Sequence, residues 1–367
     1  LFAFIKIYAK IHFLNYFWKL MTEKIKYTVL GIMSGTSLDG IDLAICTFTK
    51  NQEWEYKIEK SNTLKYPIYW KSKLGTLHTQ NKAIIEQTDI QFGQYIGETI
   101  NTFLNGEQVD FIASHGHTIF HQPENNYTLQ IGCGKTISQT TKITTINDFR
   151  SLDVSLNGQG APLVPIGDLL LFPKYKYCVN LGGFANISIK KDEKMIAFDI
   201  CPANIVLNDI CKKLGMEYDY NGNISRGGKI VPIILQKLNQ LDFYTKKAPK
   251  SLGREWVEEN IFPIIKNNTS EDMLCTFIEH IAIQIGKFLL NESALFTGGG
   301  VFNSFLMERI KFHSRAKILL PNKELIAFKE SLIFAFLGVL RIRNEENCLQ
   351  SVTGADRDNC GGLIHEI

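Results

Sequence analysis

Two apolar, strand-like runs flank a short segment of small and polar residues near the start of the chain. The runs cover residues 27–30 and 43–48, and the segment between them covers residues 31–42. Glycine, hydroxyl and carboxylate side chains between two such runs are typical of a tight turn. The pattern therefore predicts a β-hairpin with a glycine-rich tip.

A longer helical pattern and a buried strand follow this hairpin. Apolar residues recur at helical spacing over residues 81–104. Residues 109–114 then have the pattern of a strand that runs directly into the sequence His115-Gly116-His117-Thr118. Because open α/β sheets bind ligands at the carboxyl ends of their strands, we expect ligand contacts from this polar segment.

The second half of the chain repeats this order of elements. Residues 177–180 and 187–190 predict a second hairpin with a glycine-rich tip. The succession of helix, strand and small polar loop at 94–118 recurs at 280–300, with little residue identity. The sequence therefore predicts an α/β protein with a duplicated actin-like ATPase (ribonuclease H-like) fold. In that fold, two domains enclose a nucleotide cleft and both hairpin tips hold one phosphate chain.

Breaks in these patterns predict the domain boundaries. The segment Asn157-Gly158-Gln159-Gly160-Ala161-Pro162 continues neither a helix nor a strand, so we place a junction near it. Domain I is expected to comprise residues 21–150 together with 345–367. Domain II is expected to comprise residues 151–344.

The first 20 residues do not fit this plan. They are apolar, but three lysines interrupt them, which disfavours a membrane span, and no cleavage site of a secretory signal follows. We expect Met21 to be the natural start and residues 1–20 to be a non-native or disordered extension.

Composition narrows the function classes. The chain has 367 residues, of which 45% are hydrophobic and 21% charged, as in ordinary globular proteins. The formal net charge is +3, and the three lysines of residues 1–20 account for it, so nucleic-acid binding has no electrostatic support. The eight cysteines show no zinc or disulfide spacing, which indicates reduced thiols in a cytoplasmic protein.

The residue types of the first hairpin tip suit a phosphate site. Gly35 and Gly40 let the backbone approach an anion, and Thr36 and Ser37 add hydroxyl donors to those of the main chain. The two carboxylates of the segment suit a hydrated metal ion. An ordinary Gly/Ser/Asp hairpin has the same composition, and the tip alone leaves both interpretations open.

A series of separated motifs, in order along nearly the whole chain after residue 24, resembles the 1,6-anhydro-N-acetylmuramic acid kinases. The motifs are residues 31–42, Ser114-His115-Gly116-His117-Thr118, Gln130-Ile131-Gly132, Asp148-Phe149-Arg150, residues 158–165, residues 180–186, residues 198–204, residues 250–255, Gly298-Gly299-Gly300 and residues 352–355. The resemblance implies an enzyme that opens 1,6-anhydro-N-acetylmuramic acid with water and phosphorylates O6, using ATP and Mg²⁺. Its place is peptidoglycan recycling.

The same resemblance implies an ATP site made of three glycine segments. The first hairpin binds the phosphates, Gly182 and Gly183 form the matching tip, and the triple glycine lies against the adenosine. Asp39 is the implied metal ligand, directly or through water. The implied ATP-binding residues are Gly35, Thr36, Ser37, Leu38, Asp39, Gly40, Ile41, Asp42, Gly182, Gly183, Gly298, Gly299 and Gly300.

Asp199 is the implied catalytic base. It occupies the aspartate position of the family string F-D-T-G-P-G-N, which here reads Phe198-Asp199-Ile200-Cys201-Pro202-Ala203-Asn204. A water that attacks the anomeric carbon must be deprotonated, and a carboxylate can do this. An N-cap role for Asp199, at a helix that starts from Pro202, is the alternative interpretation. Ile200, Cys201 and Ala203 depart from the family string.

The implied sugar-binding residues are His115, Asp148, Arg150 and Glu330. The fork of Arg150 suits the lactyl carboxylate of muramic acid. Its alternative is a structural salt bridge to Asp148 or Asp153, and Glu330 has the alternative of a first-turn acid in a helix over 326–340. His117 stands where the family has Gln, and its charge is expected to vary with pH.

A second function class also fits the departures from the family pattern. A catalytically weak or inactive relative would act as a sensor of a muropeptide sugar or a nucleotide. The expected partners are the sugar and ATP, without nucleic acid or membrane, and a homodimer is possible. The retained Asp199, Asp39 and glycine tips favour the enzyme.

Overall fold

The computed structural model describes residues 25–35, 38–192, 194–266 and 268–367. The predicted extension 1–20 and the predicted start at Met21 lie outside these ranges. Thr36 and Ser37, two of the predicted ATP-binding residues, also lie outside them.

The chain divides into two compact units. Unit 1 contains the described residues up to Leu171 together with Glu330–Ile367, and unit 2 is Phe172–Lys329. The glycine-rich segment at which the sequence predicts a junction therefore lies inside unit 1. Hydrogen bonds explain why this part of the chain belongs to unit 1. Asp153, just before the segment, accepts from Thr353 and Asn359, which also belong to unit 1.

Unit 1 is built on a seven-stranded sheet. Its strands are β1 Lys26–Ser34, β2 Gly40–Lys50, β3 Trp54–Lys65, β4 Phe111–Gln122, β5 Tyr127–Ile131, β6 Thr145–Asn147 and β12 Leu363–His365. Its helices are α1 Ile68–Thr76, α2 Lys82–Leu104, α3 Gly134–Thr141, α4 Ser151–Ser155, α5 Val164–Leu171 and α13 Gln350–Thr353. The strand order is β12-β6-β4-β1-β2-β3, with β5 paired to β4.

Unit 2 is built on a five-stranded sheet. Its strands are β7 Tyr177–Leu181, β8 Phe184–Lys191, β9 Lys194–Pro202, β10 Ser293–Thr297 and β11 Lys317–Leu319. Its helices are α6 Asn204–Lys212, α7 Asn223–Gly227, α8 Pro232–Asn239, α9 Arg254–Asn260, α10 Ser270–Gly286 and α11 Ser304–His313. The strand order is β11-β10-β7-β8-β9.

The two sheets share one topology. In each, three consecutive strands form an antiparallel meander, β1-β2-β3 in unit 1 and β7-β8-β9 in unit 2. Two later strands then add in parallel on the side of the first strand: β4 and then β6 in unit 1, β10 and then β11 in unit 2. A long helix, α2 or α10, precedes the fourth strand in both. This repeat confirms the predicted duplicated, ribonuclease H-like fold of the actin-like ATPase class.

The predicted hairpins and the predicted long helix are confirmed. β1 and β2 pair without interruption from Lys26–Thr49 to Ser34–Ile41, and β7 pairs with β8 around the second glycine tip. The side chain of Asn81 caps α2 by accepting from the amide of Ile84, which satisfies one of the free amides of the first turn.

One predicted boundary is wrong. The strand that begins near residue 109 does not end before His115, because β4 continues to Gln122. Its second part forms an antiparallel pair with β5, and Gly116, with a φ of 74°, lies at the bend. The polar sequence around His115 therefore lies within a strand. Polar residues gave it the appearance of a loop, and its partner strand lies further along the chain.

The helix α12, Lys323–Ile342, contains the unit boundary between Lys329 and Glu330. Phe328 just before it has a φ of −113° and a ψ of 16°, which departs from helical geometry. The part of α12 in unit 1 packs tightly on β1. A Cβ at Gly31 would lie 2.0 Å from the carbonyl oxygen of Ser331, so Gly31 serves this packing. Within the described ranges, no helix is both long and apolar enough to cross a membrane.

Candidate active site

The described part of the first hairpin tip comprises Gly35 and residues 38–40. The amide of Leu38 donates to the carbonyl of Gly35 at 3.3 Å, and Leu38 has a φ of 59°. A left-handed conformation is unusual for a large apolar residue and marks a constrained backbone. A Cβ at Gly40 would lie 2.4 Å from the carbonyl oxygen of Leu64, so only glycine fits there.

The two carboxylates of this hairpin have different environments. Asp42 is half-buried, and its Oδ1 accepts from the hydroxyl of Thr63 at 2.5 Å. Burial raises the pKa of Asp42, the Thr63 hydroxyl lowers it, and the charge of Asp39 raises it. Asp39 itself is exposed and makes no hydrogen bond to any residue that the structure describes. Asp39 is therefore the carboxylate that is available to a cation.

The tip of the second hairpin is attached to the start of α6. The carbonyl of Gly183 accepts from the amides of Ala203 and Ile205 at 2.8 and 3.1 Å. The carbonyl of Gly182 accepts from the amide of Asn204 at 3.2 Å. These bonds use amides that a helix N-terminus otherwise offers to an anion. In this unit, a phosphate contact is therefore expected from the hairpin and not from α6.

The triple glycine lies directly after β10 and packs against β7. Gly298 has a φ of 86°, and a Cβ there would lie 2.5 Å from Oδ1 of Asn180. Both the left-handed backbone and the close approach require glycine. Gly299 and Gly300 then form the wall of a cavity of about 500 Å³ in unit 2. A cavity of this size accommodates an adenosine.

The other walls of this cavity come from residues that the sequence did not single out. Tyr218, Tyr220 and Phe302 present aromatic rings with 56%, 70% and 48% of their surface exposed. Asn208 on α6 also lines it, and its side chain makes no hydrogen bond within the described part of the chain. The turn sequence Tyr218-Asp219-Tyr220-Asn221-Gly222, two aromatic residues beside Asn-Gly, is the signal that could have identified this wall.

Asp199 is held within β9 by a neighbouring loop. Its backbone amide donates to the carbonyl of Lys250 at 3.0 Å, and its Oδ2 accepts from the amide of Leu252 at 2.8 Å. Burial raises the pKa of the Asp199 carboxyl, and the bond from Leu252 opposes this effect. The other carboxylate oxygen has no hydrogen-bond partner among the described residues. One oxygen is thus fixed and the other can accept a proton.

The N-cap interpretation of Asp199 is wrong. α6 begins at Asn204 with Ala203 as its N-cap residue, and the carboxylate of Asp199 bonds to Leu252 instead. Pro202 is the last residue of β9 and does not start the helix. Asp199 itself lies within β9, which continues past it to Pro202.

His115 and Arg150 form a buried pair. Nδ1 of His115 bonds the carbonyl of Gly116 at 2.9 Å, so this nitrogen carries the ring proton. Nε2 then accepts from Nε and Nη2 of Arg150 at 3.1 and 2.8 Å. Burial and the adjacent guanidinium hold the pKa of His115 well below its ordinary value. Both ring nitrogens are used, so His115 orients Arg150.

Arg150 is held by neutral acceptors only. Besides His115, its Nη1 donates to the carbonyl of Gly160 at 2.6 Å. Burial lowers the pKa of the guanidinium to about 10, which leaves it charged at neutral pH. Three of the five N–H donors of an arginine are used in this way, and one donor on each terminal nitrogen remains for a ligand.

The salt-bridge interpretation of Arg150 is wrong, since it forms no ion pair with any described residue. Oδ1 of Asp148 accepts from the amide of Ser151 at 3.2 Å, and Asp153 bonds other groups. Glu330 is half-buried, and its charge raises the pKa of Arg150. The first-turn interpretation of Glu330 is also wrong, because α12 begins at Lys323 and its first-turn acid is Glu324.

His117 does not change charge near neutral pH. Its Nδ1 lies 3.1 Å from the hydroxyl of Ser34, and burial lowers its pKa to about 4. The ring is therefore neutral over the physiological range, contrary to the expectation of a pH-dependent charge. The side chain still offers one donor and one acceptor.

Comparison with solved structures gives matches at low sequence identity and low TM-score. The activator of 2-hydroxyisocaproyl-CoA dehydratase from Clostridium difficile, with bound ADPNP, is 14% identical with a TM-score of 0.43, covering 85% of this chain and 95% of its own. A ROK family protein from Streptococcus pneumoniae TIGR4, in complex with sucrose, is 13% identical with a TM-score of 0.36, covering 86% and 98%.

Sequence comparison is more specific. A family model described as anhydro-N-acetylmuramic acid kinase matches residues 27–366. The protein of that name from Pseudomonas syringae pv. syringae (strain B728a) is 32% identical, covering 92% of this chain and 98% of its own. Those of Francisella tularensis subsp. novicida (strain U112) and Bacillus cereus (strain G9842) are 33% and 30% identical, covering 90% and 92% of this chain and 96% and 98% of their own. The chain therefore belongs to the anhydro-N-acetylmuramic acid kinase family.

Proposed function

We propose that the chain is an ATP-dependent kinase that opens 1,6-anhydro-N-acetylmuramic acid hydrolytically and phosphorylates O6. A water oxygen bonds to C1 as the C1–O6 bond breaks. O6 bonds to the γ-phosphorus of ATP as the bond from that phosphorus to the β–γ bridging oxygen breaks. The products are N-acetylmuramic acid 6-phosphate and ADP, in peptidoglycan recycling and amino-sugar catabolism.

The geometry of the Asp199 carboxylate, in a chain that belongs to this family, is the observation that supports the proposal most directly. The Leu252 amide fixes one carboxylate oxygen, and the second oxygen has no partner among the described residues. Such a carboxylate can take a proton from the attacking water without reorienting. Its raised pKa makes it a stronger base than an exposed aspartate.

Arg150 is the proposed site for the carboxylate of the sugar. A guanidinium with one remaining donor on each terminal nitrogen matches the two oxygens of a carboxylate. The lactyl group of muramic acid supplies that carboxylate. His115 acts through Arg150, while Asp148 and Glu330 remain proposed contacts for the sugar hydroxyls.

The nucleotide is proposed to use the glycine segments and the cavity that Gly299 and Gly300 line. The tips at Gly35–Gly40 and Gly182–Gly183 bind phosphates, and Gly298 begins the loop that borders the adenosine. The aromatic rings of Tyr218 and Tyr220 offer faces on which a base can stack. Asn208 offers the paired donor and acceptor that read a purine edge.

The residues present fit Mg²⁺ that arrives with ATP. The described residues contain no group of three or more His, Cys, Asp or Glu side chains arranged to hold a metal. Mg²⁺ is commonly held by one or two carboxylates together with substrate phosphates, and the exposed Asp39 supplies such a carboxylate. When bound, the ion neutralises charge on the transferred phosphoryl group.

The proposal includes a cytoplasmic location. All eight cysteines lie in the described ranges as free thiols, six of them buried, which is common in a reducing compartment. We also propose a homodimer, which light scattering of the purified protein tests.

Product analysis tests the proposed function. The purified chain is incubated with ATP, Mg²⁺ and 1,6-anhydro-N-acetylmuramic acid, and the mass of the sugar product is measured by mass spectrometry. We expect a product that has gained both water and one phosphoryl group, with one ADP per product. Sugar binding by calorimetry without any such product would support the sensor and contradict the kinase.

A further inference from the structure

Asp153 is a fully buried carboxylate, with 0% of its surface exposed. Its Oδ1 accepts from the thiol of Cys348 at 3.0 Å, the hydroxyl of Thr353 at 2.9 Å and the side-chain amide of Asn359 at 2.8 Å. All three donors lie near the end of the chain. Three donors on one oxygen fix the orientation of the carboxylate.

The other oxygen of Asp153 is linked to Arg150 through the backbone of Gly160. Oδ2 accepts from the backbone amide of Gly160 at 2.8 Å. The carbonyl of the same Gly160 accepts from Nη1 of Arg150 at 2.6 Å. Gly160 is thus held from both sides, by the carboxylate at its amide and by the guanidinium at its carbonyl.

Two motifs that the proposed reaction does not use meet in this chain of bonds. Gly160 belongs to Gly158-Gln159-Gly160-Ala161-Pro162, and Thr353 belongs to Val352-Thr353-Gly354-Ala355. A further bond joins them, because the amide of Gln159 donates to the carbonyl of Thr353 at 2.9 Å. The loop that holds Arg150 is therefore fixed by the C-terminal segment.

We propose that Asp153 is a positioning residue for substrate binding, which sets the direction of the Arg150 guanidinium through Gly160 and is itself oriented by Thr353, Cys348 and Asn359. The inference rests on the proposed function, since it assigns to Arg150 the carboxylate of the sugar. A guanidinium that lacks an ion pair depends on such neutral contacts for its geometry. A shift of the Gly160 carbonyl rotates the two remaining donors away from a bidentate fit.

A purely structural role of Asp153 would have different consequences from a positioning role. If Asp153 only joins the loop to the C-terminal segment, weakening it lowers stability and affects every substrate alike. If it positions Arg150, the effect appears in KM, and only for a sugar that carries the carboxylate. Two sugars separate these cases, 1,6-anhydro-N-acetylmuramic acid and 1,6-anhydro-N-acetylglucosamine, which lacks the lactyl group.

The test uses Thr353→Val, with Thr88→Val as the matched control. Both hydroxyls are buried, but that of Thr88 donates only to its own helix, at the carbonyl of Ile84. We expect Thr353→Val to raise the KM for the muramic sugar about 5- to 10-fold, with kcat within about twofold. The KM for the sugar without the carboxylate stays unchanged, as do both KM values in Thr88→Val. Equal changes for the two sugars, or none, would overturn the proposal.

A second measurement does not depend on turnover, so a failure of the inference can be distinguished from a failure of the proposed function. In protein labelled with ¹⁵N-arginine, the Nε–H signal of Arg150 is assigned by its loss in Arg150→Lys. We expect slow hydrogen exchange of this signal in the wild type and Thr88→Val, and at least tenfold faster exchange or a shifted signal in Thr353→Val. An unchanged signal in Thr353→Val would overturn the proposal even if the chain phosphorylates its sugar.

Discussion

The backbone amide of Leu252 donates to Oδ2 of Asp199 at 2.8 Å, across a separation of 53 residues. A backbone donor cannot rotate away as a side chain can, so this bond restrains the orientation of the carboxylate. The bond also lowers the pKa of Asp199, but burial is the larger effect and raises it. The result is a fixed base whose affinity for a proton exceeds that of a solvated aspartate.

The pH dependence of activity follows from this balance. A base must be deprotonated to act, so kcat/KM is present above the pKa of Asp199 and is lost as the pH falls through it. Because that pKa is raised, we expect the acid limb above the ordinary aspartate value of 3.8. The pH profile of kcat/KM checks this, and an acid limb at or below 3.8 would contradict it.

The same raised pKa predicts an effect on stability. Burial disfavours the ionised form of Asp199, so its charge lowers the stability of the fold at every pH above the raised pKa. We expect Asp199→Asn to melt at the same temperature as the wild type or higher at pH 7, and the difference to shrink as the pH falls through the raised pKa. Calorimetry checks this, and a large drop in melting temperature would count against the assigned environment.

Arg150→Lys tests the recognition of the sugar carboxylate. Lysine keeps the charge but lacks the fork that contacts His115 and Gly160 while presenting two further donors. We expect the KM for 1,6-anhydro-N-acetylmuramic acid to rise about tenfold or more, with a smaller change in kcat. The exposed Arg254→Lys, which alters a surface pair with Glu258, serves as the control and leaves KM unchanged. A KM within twofold of the wild type in Arg150→Lys would contradict the assignment.

Asp153→Asn tests the buried carboxylate by stability. The change places an amide group among four donors, so at least one of them loses its acceptor. We expect the free energy of unfolding to fall by about 2–4 kcal/mol. Asp356→Asn, at an exposed carboxylate that accepts from Asn157, is the control, with an expected change below about 0.5 kcal/mol. Denaturant titration measures both, and equal stability of the two variants would be the contrary result.

Asn208→Ala tests the nucleotide cavity. Asn208 lines the cavity beside Gly299 and Gly300, and its side-chain amide has no hydrogen-bond partner among the described residues. Removing its amide is expected to raise the KM for ATP about three- to tenfold and to leave the KM for the sugar unchanged. Asn101→Ala, at an exposed amide on α2, serves as the control. An unchanged KM for ATP would place the adenosine elsewhere.

The sequence predicted the parts of the fold that depend on local patterns. Strand-like apolar runs and glycine-rich tips located both hairpins, and helical spacing located α2. The sequence did not predict that β4 extends to Gln122. The part of the strand with His115 and His117 is specified by its pairing with β5 rather than by its own composition.

For the candidate site, too, the sequence predicted the residues that local motifs contain and missed those that tertiary contacts bring in. Motifs located Asp199 and Arg150, but their partners are set by the tertiary fold. Leu252 holds Asp199 through a backbone group, which no sequence pattern reveals. The sequence suggested Asp153 only as a salt-bridge partner of Arg150. The groups that donate to it, on Cys348, Thr353 and Asn359, lie about 200 residues further along the chain.

The most direct test of the central claim compares two Asp→Asn variants in a coupled ADP-release assay with 1,6-anhydro-N-acetylmuramic acid. Asp199→Asn removes the proposed base, and Asp89→Asn is its match, since Asp89 is half-buried, has a pKa raised by burial and accepts from a backbone amide at 2.7 Å. We predict that Asp199→Asn lowers kcat by about 10²- to 10⁴-fold while sugar binding by calorimetry persists, and that Asp89→Asn keeps kcat within about twofold. A kcat in Asp199→Asn close to that of the wild type would contradict the account.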